Sequence, residues 1–135
     1  MAMTKTLPAG RYFIGDPCYV LDDQDWLRFC SWFDRLEAGE ETEEDREEWN
    51  GVAADYTAYG DGVYSTSNGV FSVDSGMIGA VEESYWKNGK EDLDRYNELG
   101  NVVVFEDDIT FESNSGTFKI FSDDYNYLRI FTNFK

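Results

Sequence analysis

The spacing of apolar positions changes twice along the chain, and each change marks a different kind of element. The opening "LPAGRYFIGDPCYVL" alternates, with Tyr12 and Ile14, then Cys18 and Val20, at β-compatible positions. Between them, Asp16-Pro17 is turn chemistry that also removes a backbone donor, so the stretch reads as a strand interrupted by a turn. In "DDQDWLRFCSWFDRLEAG" the period lengthens: Trp26, Phe29, Cys30, Phe33 and Leu36 recur at helical spacing. Asp22 or Asp23 can cap this helix and Gly39 can stop it.

From Ala53 the two-residue period returns. "GVYSTSNGVFSVDSGMIGAVE" alternates on both sides of Asn68-Gly69, a strong hairpin signal, with Tyr64 and Thr66 on one strand and Phe71 and Val73 on the other. "KEDLDRYNELG" predicts a short helix ending at Gly100. The remainder predicts three or four antiparallel strands, with turns at Asn114 to Gly116 and at Asp123-Asp124. The sum is one α+β domain over residues 1–135: a mostly antiparallel, curled or barrel-like sheet, one amphipathic helix packed against it, and one or two short helices. No alternating βαβ units are present, which argues against a Rossmann-like fold.

One segment fits neither period. "EAGEETEEDREEW", an acidic helical insert at about 37–50, sets seven glutamates and one aspartate against a single arginine, a net of −7 from Glu37 to Glu48. Thr42 followed by Asp45 resembles a capping box. Glu43/Glu47 and Glu44/Glu48 are like-charge pairs four apart and weaken the helix. Such a helix is marginal unless Trp49 anchors it to the body, and it reads as a segment that gains order when a basic partner arrives.

Composition sharpens this picture. Ten Phe, nine Tyr and four Trp supply ample core for 135 residues, while 28 acids against 11 bases give a charge of −17. That charge repels phosphate backbones and anionic membranes, and it speeds encounter with a basic protein. Further acidic clusters lie at Asp22 to Asp25, Glu82-Glu83, Glu106 to Asp108 and Asp123-Asp124. Carboxylates spread this way can imitate duplex phosphates, which run at about one charge per 1.7 Å of axis. The chain has no histidine, so Ser-His and Cys-His triads and imidazole metal sites are excluded. "WKNGKE" lacks the glycine and hydroxyl of a P-loop, and no GxGxxG or EF-hand pattern occurs. Cys18 and Cys30 form no CxxC pair. No run of about 18 apolar residues occurs, and "MAMTKTLPAGRYF" is too short and polar for a signal peptide. The expectation is a cytoplasmic protein with reduced thiols and no cofactor.

What remains for chemistry is carboxylate. Asp16 in "GDPCY", Asp61 in "YGDGVY" and Asp74 in "VDSG" each stand beside turn residues. Brought together, they could bind a divalent cation or a small molecule, or act as an acid/base pair. The plainer reading is that such aspartates accept backbone N–H bonds in tight loops. Trp26, Phe29 and Phe33 read as core. Tyr56, Tyr59, Tyr64, Tyr125 and Tyr127 are candidates to line a pocket or partner surface.

The ordered set "AGRYFIGDPCYV", "YGDGVY" and "VDSGMIGAV" resembles a group of small uncharacterised phage and bacterial proteins over about half the chain. That resemblance implies a shared scaffold with Asp16, Asp61 and Asp74 near one another, and no activity. The glutamate insert lies outside it. The leading expectation is therefore a non-enzymatic, phage-encoded acidic protein that inhibits a basic, nucleic-acid-binding host protein by electrostatic or DNA-mimic contact. Glu41, Glu43, Glu44, Glu47 and Glu48 would steer and Trp49 or a tyrosine would anchor. The alternatives are a small-molecule or metal site on Asp16, Asp61 and Asp74, and a virion structural component.

Overall fold

Three consecutive residues of strand β2 (Gly10–Gly15), Tyr12, Phe13 and Ile14, are fully buried, so the sheet that contains β2 must be covered on both faces. In the computed structural model, which describes residues 2–66, 69–123 and 125–132, that sheet is the middle layer. It is antiparallel, with strand order β3 (Val52–Tyr56), β6 (Met77–Glu82), β2 and β7 (Asn101–Phe105). On one face Tyr12, Ile14, Ala53, Ile78, Ala80 and Phe105 meet a second antiparallel sheet. Its order is β1 (Ala2–Leu7), β8 (Ile109–Asn114), β9 (Thr117–Ser122), β10 (Tyr125–Phe131). A separate hairpin, β4 (Gly62–Thr66) with β5 (Gly69–Val73), adds Tyr64, Phe71 and Val73 to the same core. On the opposite face Phe13, Val52, Ala54, Met77 and Val81 are covered by helices. These are α1 (Asp23–Glu37), the Trp49 end of α2 (Glu43–Glu48) and α3 (Leu93–Leu99).

The α+β class holds, with a different sheet arrangement. The strands divide into two packed open sheets and a ribbon, and no sheet closes into a barrel. The expected strand through Cys18 and Val20 is instead a single 3-10 turn, Pro17–Tyr19, because the Asp16 carboxylate accepts the Cys18 N–H and bends the chain. The other side of β2 breaks at Pro8-Ala9, and residues before it form β1.

Helix α1 follows its sequence signals closely. Asp22 accepts the Asp25 N–H at 2.8 Å as N-cap. At the other end Gly39 adopts φ 74°, with Gly39 N–H donating to Leu36 O and Glu40 N–H to Arg35 O, the paired bonds of a Schellman stop. The periodicity omitted Trp32, which is fully buried because α2 folds back over that flank. The hairpin register pairs Tyr64 with Phe71 and Thr66 with Gly69, as a two-residue loop requires. The loop residues themselves, including Asn68, lie outside the described residues, as does Asp124 of the second expected turn. The Ser115-Gly116 turn is present, with φ values of 51° and 89°.

The paired strands β3 and β6 approach closely at Gly79 in β6, where a Cβ would stand 2.3 Å from the Ala53 carbonyl oxygen and 2.6 Å from Ala54 Cβ. Both obstacles belong to the neighbouring strand and cannot rotate away. Gly79→Ala is expected to cost about 3 kcal/mol, read as a lowered urea midpoint. An unchanged midpoint would mean that β3 and β6 can part without loss.

Candidate functional site

The three aspartate turns do converge at one end of the central sheet, and they differ sharply in exposure. Asp16 is fully buried, and both its oxygens are filled. One accepts the Cys18 N–H at 3.0 Å and the Ser75 hydroxyl at 2.5 Å. The other accepts the Asp74 and Ser75 N–H groups at 2.7 and 2.6 Å. Four hydrogen bonds use the roughly four lone-pair sites of a carboxylate, so Asp16 has none left for a cation. Its work is to clasp the turn after β2 to the turn between β5 and β6.

Asp74 is exposed and accepts the Tyr19 hydroxyl at 2.5 Å. Burial and that bond push the Tyr19 hydroxyl well above its ordinary pKa. Asp61 is exposed too, with its carboxylate 3.8 Å from where a Cβ on Gly76 would sit. Among the described residues, no three acidic or cysteine side chains are placed to hold a metal ion. Burial, with Asp16 nearby, also pushes the Cys18 thiol far up, so it stays protonated and unreactive at neutral pH. The geometry around Asp16 is that of a structural cap.

The acidic insert is built quite differently. The Thr42 side chain accepts the Asp45 N–H at 3.1 Å, and Asp45 accepts the Thr42 N–H at 3.1 Å, completing the capping box. Asp45 is only 6% exposed and receives a two-pronged contact from Arg35 of α1, at 2.9 Å from Nε and 2.7 Å from Nη2. The guanidinium holds the Asp45 carboxyl well below the usual carboxylate range. Beyond the helix Trp49 is 2% exposed. Its ring stacks on Trp32 (5.5 Å between centroids) and on Tyr85 (5.7 Å), with Phe29 edge-on at 5.9 Å. Trp49 therefore anchors α2 to its own body and is not available as a partner anchor. The insert is a docked helix in the free chain, anchored by Trp49, rather than a marginal one that gains order when a basic partner arrives. Pairing with Arg35 and aromatic burial outweigh repulsion between glutamates that costs only tenths of a kcal/mol per pair.

The predicted steering residues divide accordingly. Glu41 turns inward and accepts the Trp32 indole N–H at 2.7 Å. Glu48 pairs with Arg28, whose guanidinium also lies over the Trp49 ring. Glu43, Glu44 and Glu47 point to solvent, with no ion pair among the described residues. Of the tyrosines, Tyr56 and Tyr59 are exposed and Tyr127 is half-buried. Tyr64 is buried, with its hydroxyl on the Gly60 carbonyl. The Tyr125 side chain lies outside the described residues.

Two key residues carried little sequence signal. Lys5 of β1 donates to the Trp49 and Val52 carbonyls at 2.7 and 2.9 Å and sits 4.8 Å above the Trp32 ring. Burial lowers its pKa to about 8, against the attraction of Glu41. Asp55, 3% exposed in β3, accepts the Ser113 hydroxyl at 2.6 Å and so links the two sheets. A lone lysine in "MTKTL" and a lone aspartate in "VAADY" were the only hints.

No known protein-family model, curated protein or solved structure matches this chain. The site must therefore be read from its own chemistry.

Two outcomes follow. Asp16→Asn places an amide against N–H donors and is expected to cost about 3 kcal/mol, whereas Asp61→Asn changes stability by less than about 0.5 kcal/mol. Equal denaturation midpoints for the two variants would remove the clasp. For Lys5, the folded chain releases its proton near pH 8 while the unfolded chain keeps it to about 10.5. The unfolded state binds more protons in that window, so stability rises with pH there. Denaturation at pH 7.5 and 9.5 is expected to favour the parent over Lys5→Met more at the higher pH, and a constant difference would refute the buried ammonium.

Proposed function

We propose that this protein is a non-enzymatic binding module whose helical layer docks on a basic, nucleic-acid-binding protein and competes there with phosphate. The observation that carries the reading is the polarity of the charge. Residues 22–50 hold twelve carboxylates and three arginines, a net of −9 out of −17 for the chain. All three arginines are committed within the layer: Arg28 to Asp25 and Glu48, Arg35 to Asp45, and Arg46 to Glu41 at 3.8 Å. None of them makes an ion pair with the outward glutamates, although Arg46 lies beside Glu43 and Glu47. The capping box and the aromatic stack hold Glu43, Glu44 and Glu47 on a fixed element, so little ordering entropy opposes binding.

The caps described for Asp16, and its lack of a free lone pair, weigh against the small-molecule or metal reading of the three turns. An origin in a phage remains part of the proposal and rests on the motif resemblance, whereas the inhibitory role rests on the acidic charge alone.

A triple change of Glu43, Glu44 and Glu47 to Gln tests it. Each exposed ion pair is worth about 0.2–1 kcal/mol, so the triple variant is expected to bind its captured basic partner about tenfold more weakly. Its own thermal stability stays level or rises, because repulsion within α2 falls. Affinity of the parent drops as salt rises. Binding that is indifferent to both salt and the substitutions would defeat the proposal.

A further inference from the structure

The apolar side chains of α1 are buried or half-buried with one exception: Leu27 is 68% exposed. It borders a groove of about 260 Å³ between α1 and α2, lined also by Arg28, Ser31, Arg35, Glu48 and Trp49. Leu27, Ser31 and Arg35 follow one another at a spacing of four and so form one stripe of α1. Ser31 is the smallest of the three, and its short side chain leaves the space beside α2 open. The volume is below the roughly 300–1,000 Å³ of small-molecule sites and suits a side chain of a larger partner. A lone exposed leucine is ordinary on a protein surface. What sets this one apart is the groove beside it and the charge around both.

The cations in the groove wall are already paired. Arg28 holds Asp25 and Glu48 and lies over the Trp49 ring at 5.6 Å, and Arg35 holds Asp45. The rim is different. Asp23 stands one turn before Leu27 and Glu44 one turn before Glu48. Both are exposed and make no ion pair among the described residues. Wall and rim together set five carboxylates against two guanidiniums, a net of −3 around the exposed leucine.

We infer that the α1–α2 groove is the apolar anchor point of the interface with a basic partner. An aliphatic or aromatic side chain, carried on a lysine- and arginine-rich segment, packs on Leu27 between the two helices. This rests on the proposed docking of the helical layer and names the contact that charge does not supply. Charge steers the encounter and sets its salt dependence, whereas binding energy concentrates in a few desolvated contacts. Trp49 cannot make that contact, because its ring is buried in the stack with Trp32 and Tyr85. A second copy of the chain is a poor occupant, since it brings a charge of −17 to an acidic rim.

The test is a chemical-shift titration of the full chain, read at the Leu27 methyl and Ser31 amide signals. The probes are three synthetic peptides of equal length: all lysine, lysine with a central phenylalanine, and glutamate with a central phenylalanine. The lysine peptide with phenylalanine is expected to bind about fivefold more tightly than the all-lysine peptide. Leu27→Gln removes the apolar contact and Ser31→Gln fills the groove. Each is expected to abolish that preference while all-lysine binding and its salt dependence are retained, because neither alters the net charge. Both positions are exposed, so the helix tolerates the changes. The triple change of Glu43, Glu44 and Glu47 to Gln is expected to weaken both lysine peptides alike. Equal affinities of the two lysine peptides, or a preference that survives both substitutions, would overturn the anchor and leave docking by charge standing. Leu27 signals that move with protein concentration alone would give the groove to a second copy and overturn it too. Binding of the glutamate peptide as tight as that of its lysine counterpart, or no binding of either lysine peptide, would overturn both readings.

Discussion

Burial of both faces of the central sheet is the constraint from which the other layers follow. In β2 alternate residues point in opposite directions, so Tyr12 and Ile14 demand one apolar cover and Phe13 another. The second sheet and the hairpin supply the first. The second must come from helices, because the chain's remaining strands are all used. That requirement explains why α1 is amphipathic, and why α3 presents Tyr96 inward.

It also explains the acidic insert. The flank of α1 that carries Trp32 would be open to water if α2 did not return across it. Trp49 closes that flank by stacking on Trp32, and Lys5, reaching across from β1, satisfies the Trp49 and Val52 carbonyls. A segment with such repulsive charge is tolerated because its ends are so well held. The cost of assembling glutamates on α2 is small beside the aromatic burial and the Arg35–Asp45 pair that fix it.

Much of this was legible in the chain. The α1 caps, the capping box at Thr42, the β4–β5 register and the helix ending at Gly100 all follow from local chemistry, where a short motif decides the geometry. The failures are non-local. Whether Trp49 faces a partner or its own core depends on Trp32, Tyr85 and Phe29, which are far apart in sequence. Strand alternation could not reveal that the sheets divide in two, since inward positions read alike in one curled sheet or in a packed pair. The convergence of the aspartate turns was anticipated, yet the difference between buried Asp16 and exposed Asp61 lies in neighbours contributed some sixty residues away. Lys5 and Asp55 were missed for the same reason.

The distribution of carboxylates bears on what kind of activity the fold can support. A catalytic acid or base needs a free lone pair or proton in a sheltered place. Asp16, Asp45 and Asp55 are buried and held by hydrogen bonds that serve the fold, while Glu83 Oε2 is sheltered without a hydrogen-bond partner and lies 3.7 Å from the Arg11 guanidinium. The free carboxylates of α2, Glu43, Glu44 and Glu47, are on the surface, where water levels their reactivity but leaves their field. A field acts through number and placement, and α2 concentrates both on a rigid support. On the proposed function, recognition by charge draws on that field, and its specificity rests on the geometry of one short helix.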